Sequence, residues 1–295
     1  MANGLLLGIL GGSGLETKLV DALDLDGAEA VQCQTPFGPP SAPIIRANYR
    51  GTPLALLSRH GDGHLLNPAA VPYRANIFAL KSLGCTHIVA FGATGSLREE
   101  IAPGDLLICD QLIDRTEGRP RTFYEHAAVH VEFAEPFCPV LRRWLHDAGS
   151  TIDGVRVHAS GCYVCMQGPA FSTRAESNLY RQWGADVVGM TALPEARLAR
   201  EAEIAYTLVA LPTDYDCWRP RGEGDEDSLL AEIIGNLNRA ADASMALLTA
   251  ALADIDALQA PSPAHTALAR AIWSDKSKID PREIERLRPL WGRYF

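Results

Sequence analysis

The chain has 295 residues, 47% hydrophobic and 21% charged, with a formal net charge of −9 at pH 7; that is ample apolar content for the core of one large α/β domain and far from the composition of a disordered chain. The acidic balance argues against a nucleic-acid partner, which would need clustered Lys and Arg. Apolar runs fall short of the roughly 20 residues of a membrane span, and the N-terminus lacks a signal peptide's basic start and cleavage site, so no membrane partner and a cytoplasmic location are expected.

The first strand-like run, 5–10, passes into Gly8-Ile9-Leu10-Gly11-Gly12-Ser13-Gly14. The G-x-G-x-x-G spacing of a dinucleotide site is absent, and no G-x-x-x-x-G-K-[ST] run occurs anywhere. What remains is a tight turn whose N–H groups and Ser13 hydroxyl can cradle a small oxyanion, or which simply ends the strand. Runs at 43–48 and 54–58 follow, the second leading into Ser58-Arg59-His60-Gly61. Two neighbouring donors at a strand end suit an anion, since the Arg fork matches phosphate or carboxylate; the alternative is a surface pair with its own carboxylate partner. His64 reads as a structural, hydrogen-bonding histidine.

A helix predicted over 67–83 stops at Gly84, and a strand at 87–91 ends in Gly92-Ala93-Thr94-Gly95-Ser96, small residues that let a ligand approach the backbone. A strand at 106–109, a helix at 140–148 and a long strand at 155–166 come next. The last contains Cys162-Tyr163-Val164-Cys165, a redox or zinc spacing in the wrong setting, so the seven cysteines read as reduced packing residues. Gln167-Gly168-Pro169-Ala170-Phe171-Ser172 forms a rigid turn in which Phe171 is either a stacking platform for a planar heterocycle or a core aromatic.

Thr173-Arg174-Ala175-Glu176 is a capping box that opens a helix ending at Gly184. After a strand at 186–190, Thr191 heads a helix at 192–203, as an anion-binding helix N-terminus or as a plain N-cap. A buried strand at 204–211 then ends in Pro212-Thr213-Asp214-Tyr215-Asp216, and acids at a strand's carboxyl end usually face a ligand. A helix over 228–258 and a break at Ala260-Pro261-Ser262-Pro263 precede a charged helical tail. This alternation implies one α/β domain with a buried mixed sheet over 1–258 and a helical extension over 259–295, packed on the body or on another subunit.

Gly95-Ser96-Leu97-Arg98-Glu99-Glu100, Ile113-Asp114-Arg115-Thr116, Ala134-Glu135-Pro136-Phe137-Cys138, Phe171-Ser172-Thr173-Arg174-Ala175-Glu176-Ser177 and Thr213-Asp214-Tyr215-Asp216-Cys217-Trp218 occur in this order. With them the chain, from Gly8 to about Ala250, closely resembles 5′-methylthioadenosine phosphorylases of the trimeric purine nucleoside phosphorylase superfamily. The resemblance implies a mixed sheet forming a distorted barrel flanked by helices, and a homotrimer with active sites near subunit interfaces. It places phosphate on Ser13, Arg59, His60, the Gly92 and Ala93 backbone and Thr191, and Met190 against the ribose. Phe171 and Ser172 would flank the base, Asp214 would bond N7 and the 6-amino group with Asp216 in support, and His130 would reach the 5′ substituent from the neighbouring subunit.

The implied reaction is phosphate-dependent cleavage of 5′-methylthioadenosine to adenine and 5-methylthioribose 1-phosphate, in purine and methionine salvage, with no cofactor and no metal. Rival readings are a phosphorylase preferring adenosine, inosine or methylthioinosine, a nucleosidase that uses water, and a catalytically silent nucleoside-binding module. An ionised Asp214 accepts from a 6-amino group and repels a 6-oxo group, which favours adenine. Gly92 stands where animal members often carry Thr, Gln167 and Ala170 replace a Glu and an Arg, and the acidic stretch 219–227 replaces a His and small apolar residues near the 5′ group.

Overall fold

A computed structural model describes residues 4–12, 25–219 and 226–295, with side chains in the last stretch described from 234 onward. Near-continuous apolar runs become its central strands, because a strand covered on both faces has no solvent side to alternate toward. β1 (Leu7–Gly11) is buried throughout. It lies parallel to β4 (Thr52–Ser58) on one side and to β5 (His87–Ser96) on the other. β11 (Ala205–Asp214) runs parallel along the far side of β5. Gly12, Arg59, the glycines of β5 and Asp214 therefore come out on one edge of the sheet.

β5 is also the branch point. Its last residues pair antiparallel with β10 (Val187–Gly189), which leads to β9 (Cys162–Met166) and β7 (Gln111–Arg115). From β11 the other branch runs to β6 (Leu106–Ile108) and β8 (Val157–His158). The chain joins the two branches, β6 leading into β7 and β8 into β9, so the mixed sheet curls as a distorted barrel. The exposed, polar strand β2 (Asp26–Val31) and β3 (Ile44–Tyr49) extend the β4 side antiparallel. The run expected at 155–166 is two strands, broken before Gly161, where an added Cβ would lie 2.8 Å from Leu107. Cys162 and Cys165 are both free thiols, three positions apart on one strand and so on opposite faces.

Helices cover both faces. α1 (Tyr73–Ser82) begins later than its apolar spacing predicts, because the Asn67 side chain accepts from the Ala69 and Ala70 N–H groups and closes a turn ahead of it. α4 (Ala192–Glu201) packs beside α1, while α2 (Pro139–Gly149) and α5 (Glu226–Leu252) cover the other face. α3 (Arg174–Gln182) starts at the expected capping box, with Thr173 and Glu176 bonding each other's backbone N–H.

The segment after α5 carries α6 (Pro281–Arg286) and α7 (Arg288–Trp291). Its Leu268, Leu290 and Trp291 are buried in the same cluster as Leu10, Ile88 and Tyr206. Glu203 receives both the Leu268 N–H and the Tyr294 hydroxyl, so the tail packs on the body of its own chain. No helix among the described residues is long and apolar enough to cross a membrane.

Candidate active site

A cavity of about 370 Å³ opens at the carboxyl edge of β1, β4, β5 and β11, within the size range of small-molecule sites. Gly12, Arg59, His60, Gly92, Ala93 and Thr191 line one end, Phe171, Ser172, Asp214 and Asp216 the other, and Met190 lies on the wall as well. Residues from Arg59 to Asp216 in the sequence are thus brought to one site. Ser13 lies outside the described residues. His130 is not in this chain's cavity: its N–H bonds the Ala271 carbonyl and its ring lies 4.7 Å from Trp273.

Arg59 is only 1% exposed, and its fork is already engaged: Nε and Nη2 donate to the Glu195 carboxylate at 2.7 and 2.8 Å, and Nη1 to the Phe91 carbonyl at 2.9 Å. Burial opposes the charge, but Glu195 more than offsets it and holds the guanidinium above its ordinary pKa. Glu195 itself is 0% exposed and also accepts from the Tyr206 hydroxyl. The alternative of an Arg with its own carboxylate partner is therefore what the structure contains, although the pair is buried and not on the surface. Arg59 still faces the cavity, since a Cβ on Gly12 would lie 3.5 Å from Nη1.

His60 differs from the expected second donor. Its Nδ1 is 2.7 Å from the Leu66 carbonyl, which can only accept, so Nδ1 carries the proton. Burial lowers its pKa to about 4, so at neutral pH Nε2 is a lone pair. Nε2 also faces the Gly12 position, 3.6 Å from an added Cβ there. The two side chains thus present one donor edge and one acceptor to the same spot, and the His64 ring stacks on His60 at 4.2 Å.

Thr191 occupies the N-cap position of α4 without capping it, and the helix start behind it is irregular. Leu193 leaves the helical region with φ −123° and ψ 139°, and Thr191 makes no side-chain cap. The Thr191 N–H goes to the Tyr163 hydroxyl at 3.4 Å and the Leu193 N–H to Cys165 Sγ at 3.3 Å, so these donors are spent inside the protein. Thr191 serves the cavity through its hydroxyl, which would lie 3.5 Å from a Cβ on Gly92. On the same wall Gly168, at φ +64°, has no room for a Cβ, which would fall 2.4 Å from Met190 Sδ.

At the other end β11 runs further than its apolar residues predict, through a register shift between Pro212 and Asp214, so that Asp214 closes the ladder opposite Gly95 and Asp216 lies just beyond it. Asp214 Oδ1 accepts from the Asp216 N–H at 2.7 Å and Oδ2 from the Thr213 hydroxyl at 2.9 Å. Asp216 behaves differently. Burial raises its pKa, the Ser177 hydroxyl pulls it only part of the way back, and the Asp214 charge adds to the rise. Asp216 Oδ2 is buried without a partner in bonding geometry. Phe171 is 85% exposed, which removes the core-aromatic reading and leaves a ring available at the cavity wall. No group of His, Cys, Asp or Glu among the described residues is arranged to hold a metal ion.

The family model described as Phosphorylase superfamily matches residues 6–253. The S-methyl-5′-thioadenosine phosphorylase of Thermosynechococcus vestitus is 45% identical over 98% of this chain and 99% of its own; that of Chloroflexus aurantiacus is 47% identical over 98% of each. A methylthioadenosine phosphorylase from an Antarctic soil metagenomic library superposes with a TM-score of 0.86 at 44% identity, covering 98% of this chain and 99% of that one. The Schistosoma mansoni methylthioadenosine phosphorylase in complex with adenine superposes with a TM-score of 0.81 at 34% identity, covering 91% and 99%.

Proposed function

The chain belongs to the phosphorylase superfamily, and we propose that it cleaves 5′-methylthioadenosine with inorganic phosphate to adenine and 5-methylthioribose 1-phosphate. One observation carries this reading: a single cavity is lined both by Arg59, His60 and Thr191, groups that suit an oxyanion, and by two carboxyls and an exposed aromatic ring. Relatives at 45% and 47% identity along nearly their whole length carry the same named activity.

In the proposed reaction a phosphate oxygen bonds C1′ while the C1′–N9 bond breaks and its electron pair passes to the purine. Hydrogen phosphate loses one proton over the reaction and adenine gains one, which balances the charge. Arg59 Nη1 and the Thr191 hydroxyl donate to phosphate oxygens, with the Gly92 and Ala93 backbone close by, and the neutral His60 Nε2 accepts from the P–OH group. Phosphate held beneath the ribose also stabilises the positive charge developing on the sugar. Asp214 faces N7 and the 6-amino group, with Asp216, whose ionisation burial resists, in support. Met190 packs on the ribose; Phe171 and Ser172 flank the base. Phosphate is a co-substrate, and no cofactor or metal enters the scheme.

The working assembly is a homotrimer in the cytoplasm, serving purine and methionine salvage, with His130 of a neighbouring subunit reaching the 5′ substituent. Phe171, 85% accessible at the cavity wall, and Leu65, equally accessible and next in sequence to the lining residue His64, support a mouth closed by a second copy. The assignment is tested by comparing 5′-methylthioadenosine, adenosine and inosine at saturating phosphate. The 6-amino substrates are expected far ahead, with the methylthio compound first; faster turnover of inosine would overturn it.

A further inference from the structure

Backbone strain in the loop after β4 falls on a cavity residue that has no part in the proposed reaction. Among the described residues, Arg50, His64, Glu203 and Asp216 have positive φ without being glycine. Arg50 and Gly51 make the two-residue turn between β3 and β4, and Glu203 turns the chain out of α4, both ordinary places for such a conformation. His64, at φ +57°, and Asp216, at φ +49°, instead line the cavity. Strained backbone of this kind collects at functional sites, and of these two only Asp216 has a role so far.

The His64 side chain is exposed and makes no hydrogen bond or ion pair among the described residues, so it is not the structural, hydrogen-bonding histidine that its place in the sequence suggests. What it makes is a stack: its ring lies 4.2 Å from that of His60, with the planes 20° apart. The loop is shaped to bring this about. The Leu66 N–H donates to the His60 carbonyl at 3.0 Å and His60 Nδ1 to the Leu66 carbonyl at 2.7 Å, which ties the two ends together. Between them Gly61 and Gly63 also have positive φ, +73° and +65°, so the chain doubles back and lays the His64 ring over His60.

His60 needs such a neighbour. The hydrogen bond at its Nδ1 goes to a carbonyl, whose acceptor directions are broad, so the ring can rock about that contact and swing Nε2 on its other edge. Nε2 lies 3.6 Å from the Cβ position of Gly12, and Arg59 Nη1 lies 3.5 Å from the same point. A second flat ring across its face resists the rocking. We infer that His64 is a positioning residue for phosphate: by stacking, with no contact from its own nitrogens, it holds the His60 ring in the plane that aims Nε2 at the anion. This rests on the proposed phosphorolysis.

Three variants separate the stack from its alternatives. His64→Gly relieves the positive φ and removes the ring, so the melting temperature should stay at or near wild type while the KM for phosphate rises about five- to tenfold, with the KM for nucleoside within about twofold. His64→Asn suits the same backbone and keeps polar groups but no aromatic face, and should match His64→Gly. His64→Phe keeps the face and loses the nitrogens, and should hold the phosphate KM within about twofold of wild type. A phosphate KM close to wild type in His64→Gly would overturn the inference. So would one raised as much in His64→Phe as in His64→Gly, by showing that the ring nitrogens touch the ligand. A lowered melting temperature with equal rises in both KM values would make His64 merely structural and overturn it too. Wild-type activity without phosphate would instead sink the functional reading, so the two failures are distinguishable.

Discussion

The two carboxyls of Asp214 and Asp216 lie two positions apart in different surroundings. Asp214 accepts two hydrogen bonds from its own turn, which fixes its orientation toward the cavity. Asp216 lines the cavity beside it with one oxygen buried and left unpartnered, and burial pushes its pKa above the ordinary carboxyl value. Asp214→Asn should therefore lower kcat/KM for 5′-methylthioadenosine by about two to four orders of magnitude, whereas an acid with a merely structural role would show a lowered melting temperature and a kcat/KM near wild type. Both acids were legible in the sequence, because a buried apolar strand ends on them. The Arg59 and His60 pair was equally visible, but its chemistry was not. Glu195 is 136 positions from Arg59, and nothing local to Arg59 says that a buried carboxylate will take its fork. The Leu66 carbonyl that fixes the His60 tautomer is only six positions away, but a backbone acceptor leaves no mark in the residue types.

Among the elements, the central strands were readable from their apolar runs, while β2 and β7 were not. β2 is polar and exposed and is held by pairing with β3 alone; β7 is paired to β9 at the end of a branch. The extensions of β5 and β11 were missed because glycines and a proline carry them, residues kept in the ladder here by a neighbouring strand and a register shift. The α3 capping box was legible in full, as both of its hydrogen bonds lie within four residues. Thr173→Ala should cost about 1 kcal/mol in urea unfolding. Because Phe171 and Ser172 directly precede that cap, the same variant should raise the nucleoside KM and leave the phosphate KM unchanged. Equal shifts in both would disconnect the cap from the base end of the cavity.

Across the whole molecule, the segment beyond α5 closes one face of the core. Trp291 is 0% exposed and its ring lies 4.7 Å from that of Tyr124, so Trp291→Ala should destabilise the protein by about 3–5 kcal/mol. A loss below about 1 kcal/mol in chemical denaturation would mean that the tail docks weakly. Stability should also depend on acid. His60 and His87 are buried neutral, each with its pKa lowered to about 4, mainly by burial, and the His87 ring meets His265 of the tail at 5.0 Å. Between that value and the unfolded-state pKa of about 6.5 the unfolded chain binds more protons than the native one. The contribution is therefore complete above about pH 6.5 and is lost as the pH falls toward 4. Urea midpoints should drop over that window, and His87→Leu should flatten the drop. The proposed coupling of an anion end to an adenine-recognising end in one cavity is tested by following 5′-methylthioadenosine turnover by purified enzyme while phosphate is varied from zero. Saturable dependence on phosphate is expected, with adenine and 5-methylthioribose 1-phosphate formed in equal amounts and no turnover in its absence. Full-rate release of adenine and free 5-methylthioribose in phosphate-free buffer would contradict it.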